Sequence, residues 1–283
     1  MHGEMVSRGE GCAYARPEQA SDLKTIWLRS FPGDTGEDVD AFFSALFRPE
    51  ECLVYLAEGQ PVSMTFALPA VFRAQGESVP VQYIYAASTL PEWRGRGIFG
   101  RLLEFTCGQG ARQGMAASFL RPGEKSLFDY YRRFDYRPFF TGSVVRLPPR
   151  PGKDGLVRPL PAEGYAAARS RALADFPFWL EWSGVQAAYA VRNAEAAGGC
   201  ALESPGGCAL CHPDGDTLRV EELLCPPEEE ELFYRAFSAF GCSSWEIRRP
   251  GGGESFGMWR PLSPAGERLF ADAAEPYMGL SLE

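Results

Sequence analysis

Residues 87–103 read Ala87-Ser-Thr-Leu-Pro-Glu-Trp-Arg94-Gly-Arg96-Gly97-Ile-Phe-Gly100-Arg-Leu-Leu103. This is an extended run, then a bend rich in glycine and arginine, then the opening turn of an apolar helix. A helix start leaves backbone N–H groups unpaired and carries a partial positive charge, so it attracts anions. Glycines let a ligand come close to the backbone, and Arg94 and Arg96 add full charges. The ligand expected at such a bend is a diphosphate.

The neighbouring residues predict a strand, a loop and a helix in that order. Residues 81–88 are β-branched and aromatic, whereas Ile98, Leu102, Leu103 and Phe105 recur at helical spacing. A second strand, 116–120, follows Gly114; a shorter helix, 124–134, stops before Tyr136-Arg137-Pro138, and a strand follows over 139–145. Upstream, Leu23, Ile26, Trp27 and Phe31 mark one amphipathic helix, and Val39, Phe42, Phe43, Leu46 and Phe47 a second. Strands over 53–57 and 62–68 flank Glu58-Gly-Gln-Pro61, which reads as a hairpin. Counting 12–16 as an opening strand, the order is β-α-α-β-β-β-α-β-α-β.

The bend and its flanks resemble the acetyl-coenzyme A site of the GNAT N-acetyltransferase superfamily. The superfamily's diphosphate loop, Gln/Arg-x-x-Gly-x-Gly/Ala, is matched by Arg94-x-x-Gly97, with Phe99 standing where the superfamily prefers Gly or Ala. Ser88-Thr-Leu-Pro-Glu-Trp-Arg94 before the loop and Tyr131-Arg-Arg-Phe-Asp-Tyr136-Arg-Pro138 after it are also similar. The resemblance spans residues 12–147. It implies that the backbone of Ala87 and Thr89 holds the pantetheine arm and the thioester carbonyl. It implies that amides of Gly95, Arg96, Gly97, Ile98, Phe99 and Gly100, with the Arg94 side chain, hold the diphosphate. It also implies that Tyr131 protonates the leaving sulfur. From the residues alone, Tyr136 reads as core and Arg132 and Arg133 as surface charges.

Prolines and glycines from Leu147 to Gly155 mark a boundary, dividing the chain into expected domains 1–147 and 148–283. The second half predicts a strand at 156–160, helices at 163–174 and 179–197, three strands over 200–203, 208–211 and 218–224, a helix over 228–240, and strands at 244–248 and 256–260. This order echoes the first half without its chemistry, because Pro226-Pro-Glu-Glu-Glu-Glu231 replaces the glycine-arginine bend and four carboxylates repel a diphosphate. The expected fold class is therefore α/β with a mixed sheet, as two tandem GNAT-like domains. The second is degenerate and helps to shape the acceptor pocket. The arrangement resembles the enhanced intracellular survival acetyltransferases without their sterol-carrier-like domain.

Composition narrows the partners. At 283 residues and 45% apolar, the chain has material for two cores. Its net charge of −9 falls entirely in residues 151–283, residues 1–150 being balanced, so nucleic acid is a poor partner. Residues 94–150 carry 11 basic side chains against four acidic ones, which suits a phosphate-rich cofactor. With no apolar run of membrane-spanning length and no apolar core for a signal peptide, the expectation is a cytoplasmic protein with reduced cysteines.

The resulting expectation is an acetyl-coenzyme A-dependent N-acetyltransferase acting on a primary amine of a small molecule or peptide, with no metal. Whether it acts as a monomer or a homo-oligomer is open at this stage. The base is open too: a neutral amine, a water chain, or the carboxylate of Glu283 at the end of an apolar tail would serve. His2 lies in a terminus expected to fray, which leaves His212 as a poor alternative. A non-catalytic acyl-coenzyme A sensor is the alternative function. Two other patterns are weaker. Gly95-x-Gly97-x-x-Gly100 also satisfies a dinucleotide fingerprint, but it does not follow its strand directly. Cys208-Ala-Leu-Cys211-His212 spells a haem attachment motif and, with Cys200, a zinc pattern, yet its cysteines alternate like strand residues.

Overall fold

The computed structural model of the chain describes residues 9–282, and His2 and Glu283 lie outside them. The chain divides into two compact units that interleave along the sequence. The described part of unit 1 comprises residues 9–70, 79–137 and 258–272; unit 2 comprises 71–78, 138–257 and 273–282.

Unit 1 opens with β1 (Gly11–Tyr14), α1 (Ala20–Ser30), α2 (Gly36–Leu46) and β2 (Cys52–Ala57). A long hairpin follows, β3 (Gln60–Ala74) and β4 (Glu77–Thr89), whose tip, residues 71–78, belongs to unit 2. Then come α3 (Ile98–Arg112), β5 (Ala117–Leu120) and α4 (Lys125–Arg132). The sheet order is β1-β2-β3-β4-β5, with β1–β2 and β2–β3 antiparallel and β4–β5 parallel. The predicted order is thus present as far as α4, its last strand, expected over 139–145, falling in unit 2, and Glu58 and Gly59 make the predicted hairpin turn at positive φ.

α2 starts where Thr35 accepts from the Asp38 N–H and the Asp38 carboxylate accepts from the Thr35 N–H, a reciprocal cap that satisfies two open donors. Its apolar face and that of α1 share one aromatic cluster, with Trp27–Phe42 centroids 4.8 Å apart and Phe42–Phe66 4.9 Å apart. Phe42 and Phe66 are fully buried, so Phe42→Ala costs about 3–5 kcal/mol.

Unit 2 contains β6 (Arg137–Leu147), β7 (Arg158–Leu160), α5 (Ala162–Ala172), β8 (Phe178–Glu181), α6 (Gly184–Ala196), β9 (Cys200–Ser204), β10 (Gly207–Asp214), β11 (Thr217–Leu224), α7 (Glu230–Ser238) and most of β12 (Ser244–Pro261). Here β7–β9, β9–β10 and β10–β11 are antiparallel and β11–β12 is parallel. That is the plan of unit 1 again. The last four residues of β12 and α8 (Pro264–Ala271) complete unit 1, where Met258–Pro261 pairs antiparallel with β5.

The second half departs from expectation in three places. Residues 178–181 form a strand, not the start of a helix. They pair with Val71–Ala74, and the helix begins only at Gly184, where the N-cap Ser183 and Gln186 form a capping box. The strands expected at 244–248 and 256–260 are one strand, because Gly251 and Gly252 at φ +77° and +93° carry it through a bend that side chains resist. The helix α8, capped by Ser263, has no counterpart in the sequence reading.

The core of unit 2 holds a buried ion pair. Arg169 donates to Glu222 at 2.8 Å and to the carbonyls of Leu180 and Met278, while the hydroxyls of Tyr165 and Tyr277 donate to Glu222. Both charges are desolvated, so removing either partner strands the other at a cost of about 3–5 kcal/mol. The pair also fixes the apolar tail, in which Tyr277, Met278, Leu280 and Leu282 are buried.

Candidate active site

A cavity of about 930 Å³ opens in unit 1 at the junction of β4 and α3. Of β4, its last residue, Thr89, lines the cavity. The parallel register with β5 stops at Ile84 opposite Leu120, whereas β4 runs on to Thr89. Ala86 takes φ +47°, a left-handed conformation that a non-glycine residue seldom adopts within a strand. Beyond this break, the Ser63 hydroxyl bonds to the Ser88 carbonyl at 2.7 Å and to the Thr89 hydroxyl at 2.8 Å, anchoring the strand end on its β3 side.

The chain then makes a 3-10 turn over Pro91–Trp93 and enters the glycine-arginine bend. Gly95 and Gly97 lie at φ +75° and +69°, where a Cβ would be strained. Gly97 is the N-cap of α3 and has no side chain to cap it, so it satisfies none of the N–H groups of the first turn. Gly100 is required for another reason: a Cβ there would lie 2.8 Å from the Phe134 ring.

Charge follows the same layout. Arg94, Arg101 and Arg133 line the cavity, and among the described residues Glu104 is the one carboxylate in its wall. Glu104 is already engaged by Arg260 through two bonds of 2.7 and 2.9 Å, so the wall presents net positive charge. Arg94 Nε donates to the Thr89 carbonyl at 2.9 Å, which bridges the strand end and the bend.

Of the residues singled out in the sequence, the cavity brings together Thr89, Arg94, Gly95, Gly97, Ile98, Phe99 and Gly100. Arg96 is not in its wall; it is exposed, lies over the Trp93 ring at 4.7 Å and donates to the Glu92 carbonyl. Ala87 packs against the apolar cluster that contains Tyr131. Tyr131 is 7% exposed, edge-on to Phe99, Tyr130 and Tyr136. Burial pushes its phenol well above the ordinary tyrosine range, so it stays protonated at neutral pH and retains a proton to donate. Tyr136 is core, as its sequence context implies, and bonds to Ser118 at 2.6 Å.

Sequence reading missed Trp93, Arg101, Glu104, Tyr130, Arg133 and Phe134. Arg132 and Arg133 are both exposed, as their sequence reading implies, and Arg133 in addition lies over the Tyr130 ring at 4.5 Å and lines the cavity, whereas Arg132 pairs with Asp129. A periodicity signal exists. Arg101 and Glu104 follow the N-cap Gly97 of α3 at i+4 and i+7, and Tyr130 in the last turn of α4 is followed at i+3 and i+4 by Arg133 and Phe134 just past its end.

Comparisons with known proteins bear on the fold. Residues 13–139 match the family model described as an acetyltransferase (GNAT) domain. Among solved structures, a GCN5-related N-acetyltransferase from Kribbella flavida is similar at TM-score 0.73 and 17% identity, over 90% of this chain and 71% of that one. A GCN5-related N-acetyltransferase from Anabaena variabilis gives 0.74 and 15%, over 90% and 73%. Eis1 from Mycobacterium abscessus gives 0.66 and 17%, over 89% and 74%. At these identities the likeness concerns the fold, which is mixed α/β over most of the chain. No curated protein matches the chain in sequence. Among the described residues, no helix is long and apolar enough to cross a membrane, and no group of three or more His, Cys, Asp or Glu side chains is placed to hold a metal.

Proposed function

We propose that the protein is an acetyl-coenzyme A-dependent N-acetyltransferase whose cofactor occupies the unit 1 cavity and whose acceptor is a primary amine. The observation that carries this reading is the β4–α3 junction: two left-handed glycines, an uncapped helix start and three cavity-lining arginines opposite one neutralised carboxylate. That combination suits a diphosphate joined to a long, partly apolar arm. The cavity volume also lies in the range of cofactor pockets.

In this reading the amine attacks the thioester carbonyl carbon, the C–S bond breaks, and the Tyr131 phenol passes its proton to the departing thiolate. Main-chain groups at Ala87 and Thr89 hold the thioester arm, and amides from Gly95 to Gly100 hold the phosphates. We assign catalysis to residues 1–147 and read residues 148–283 as a GNAT-like half without a cofactor site. The competing role, an acyl-coenzyme A sensor, has one observation in its favour: Tyr131 is not part of the cavity wall.

Thermal shift with coenzyme A tests binding, because a ligand at 100 times its dissociation constant stabilises by about 2.7 kcal/mol. Release of free thiol from acetyl-coenzyme A with a panel of amines tests turnover. Binding with turnover supports the enzyme, binding without turnover on any amine supports the sensor, and absence of binding overturns both.

A further inference from the structure

The eight cysteines are all free thiols, and the fold treats one couple of them differently. Cys200 on β9 and Cys211 on β10 are direct antiparallel partners, the last pair of that register. Their side chains join the same apolar cluster, and the Cys211 thiol points to the Cys200 carbonyl at 3.6 Å. Directly opposed residues in an antiparallel ladder have Cα atoms about 4.5–5.5 Å apart, inside the range of about 4.4–6.8 Å that a disulfide spans. The other cysteines in paired strands face non-cysteine partners: Cys12 faces Tyr55, Cys52 faces Phe66, and Cys208 faces Glu203 and Leu224.

We propose that Cys200 and Cys211 form a redox-active dithiol that low-molecular-weight disulfides convert to a cross-strand disulfide, with Cys200 attacking first and Cys211 resolving. Cys200 is the accessible member, being half-buried, whereas Cys211 is fully buried. The neighbouring Cys211 side chain draws the Cys200 thiol below its ordinary range, against the opposing effects of burial and the Glu195 charge. The Cys200 side chain and burial hold Cys211 high, against the opposing bond to the Cys200 carbonyl, so its proton stays on until Cys200 is engaged.

The chemistry balances without a further reactant. The Cys200 thiolate attacks one sulfur of the external disulfide, that S–S bond breaks, and one thiol leaves. Cys211 then loses its proton, attacks the Cys200 sulfur and expels the second thiol. Two protein thiols are oxidised and one disulfide is reduced to two thiols. The neighbourhood favours closure because β9 and β10 are already joined through a tight turn at Pro205-Gly206, and a Cβ at Gly199 would lie 2.0 Å from the Cys211 carbonyl oxygen. The two strands are thus held together before any sulfur bond forms.

The test exposes the folded, reduced, full-length protein to excess glutathione disulfide at mildly alkaline pH. Remaining thiols are blocked, and the protein is read by intact mass and peptide mapping. The expected result is loss of two of the eight free thiols and a single linked peptide pair joining Cys200 to Cys211. The variant Cys211→Ser is expected to stop at one glutathione adduct on Cys200. Cys200→Ser is expected to leave Cys211 unmodified. Eight thiols still free after exposure, a linkage between any other pair, or an adduct on Cys211 in Cys200→Ser each overturns the proposal. Circular dichroism and thermal midpoints matching those of the parent confirm that both variants are folded when assayed.

Discussion

The β4–α3 junction of unit 1 and the β11–α7 junction of unit 2 begin alike and diverge within four residues. In each, a strand that pairs parallel with its neighbour ends in a 3-10 turn containing Pro-Glu, and a helix follows. In unit 1 the residues between turn and helix are Arg94-Gly-Arg-Gly97, and the helix starts from an uncapped left-handed glycine. In unit 2 the turn runs straight into a helix whose first turn carries Glu230 and Glu231. There Glu229 accepts from the Ser204 hydroxyl and the Gly206 N–H, so its carboxylate closes the loop instead of leaving it open. The fold alone therefore does not define an anion site. In the proposed reading, a short insertion of glycine and arginine into a common frame supplies one.

The largest expected effect distinguishes chemistry from binding inside unit 1. Tyr131→Phe is expected to lower kcat by about 10²–10⁴-fold while coenzyme A affinity stays unchanged, as a general acid does. Steady-state kinetics paired with calorimetry reads both quantities, and unchanged turnover removes Tyr131 from the mechanism.

Charge reversal sharpens the comparison at the bend itself. Arg94→Glu is expected to weaken coenzyme A about 10–100-fold, the scale of removing one charge-assisted hydrogen bond to a phosphate. Arg96→Glu, whose parent side chain lies over Trp93 outside the cavity, is expected to change affinity by about threefold or less. Equal weakening at both positions contradicts the geometry of the wall. The converse experiment, Glu228→Gln with Glu229→Gln, removes the repulsion in unit 2 but supplies no open amides, so the number of coenzyme A sites stays the same.

A packing test follows in size. Gly100→Ala pushes a methyl into the Phe134 ring and is expected to destabilise by about 1–3 kcal/mol, lowering Tm by a few degrees. A second change, Phe134→Leu, is expected to recover part of that stability; a Tm unaffected by Gly100→Ala denies the close approach of Phe134, in the turn after α4, to α3.

The smallest effect is a pH dependence in unit 2. The Glu221 carboxylate holds His212 above its ordinary range, with Arg219 opposing and Arg248 sharing the same carboxylate. Because the folded value is the higher one, the pair stabilises fully below about pH 6.5 and the contribution disappears as pH rises through the elevated value. Thermal melts of His212→Gln and parent are expected to differ at pH 5.5 by about 1 kcal/mol or less and to converge above pH 8.

Much of unit 1 is legible in the sequence because its elements announce themselves locally. The α1 and α2 periodicities, the Glu58–Gln60 turn and the glycine bend are all short-range signals, and the structure shows each of them. The failures are non-local. Residues 178–181 look helical in isolation and become a strand only because Val71–Ala74 reaches them across the sequence. The fusion of 244–261 into one strand depends on partners far along the chain and on glycines that normally read as breaks. At the site, the bend is visible as a contiguous motif, but Arg101, Glu104, Tyr130 and Arg133 are not. Their membership depends on how the packing of Phe134 on Gly100 sets α3 against the C-terminal end of α4 and the turn after it.

Calorimetric titration of coenzyme A into the parent protein and into a variant carrying Pro-Glu-Glu-Glu in place of Arg94-Gly-Arg-Gly97 tests the central claim most directly. The account predicts one binding event per chain for the parent and none for the folded variant. A parent that gives no binding, or a variant that binds as tightly as the parent, contradicts it.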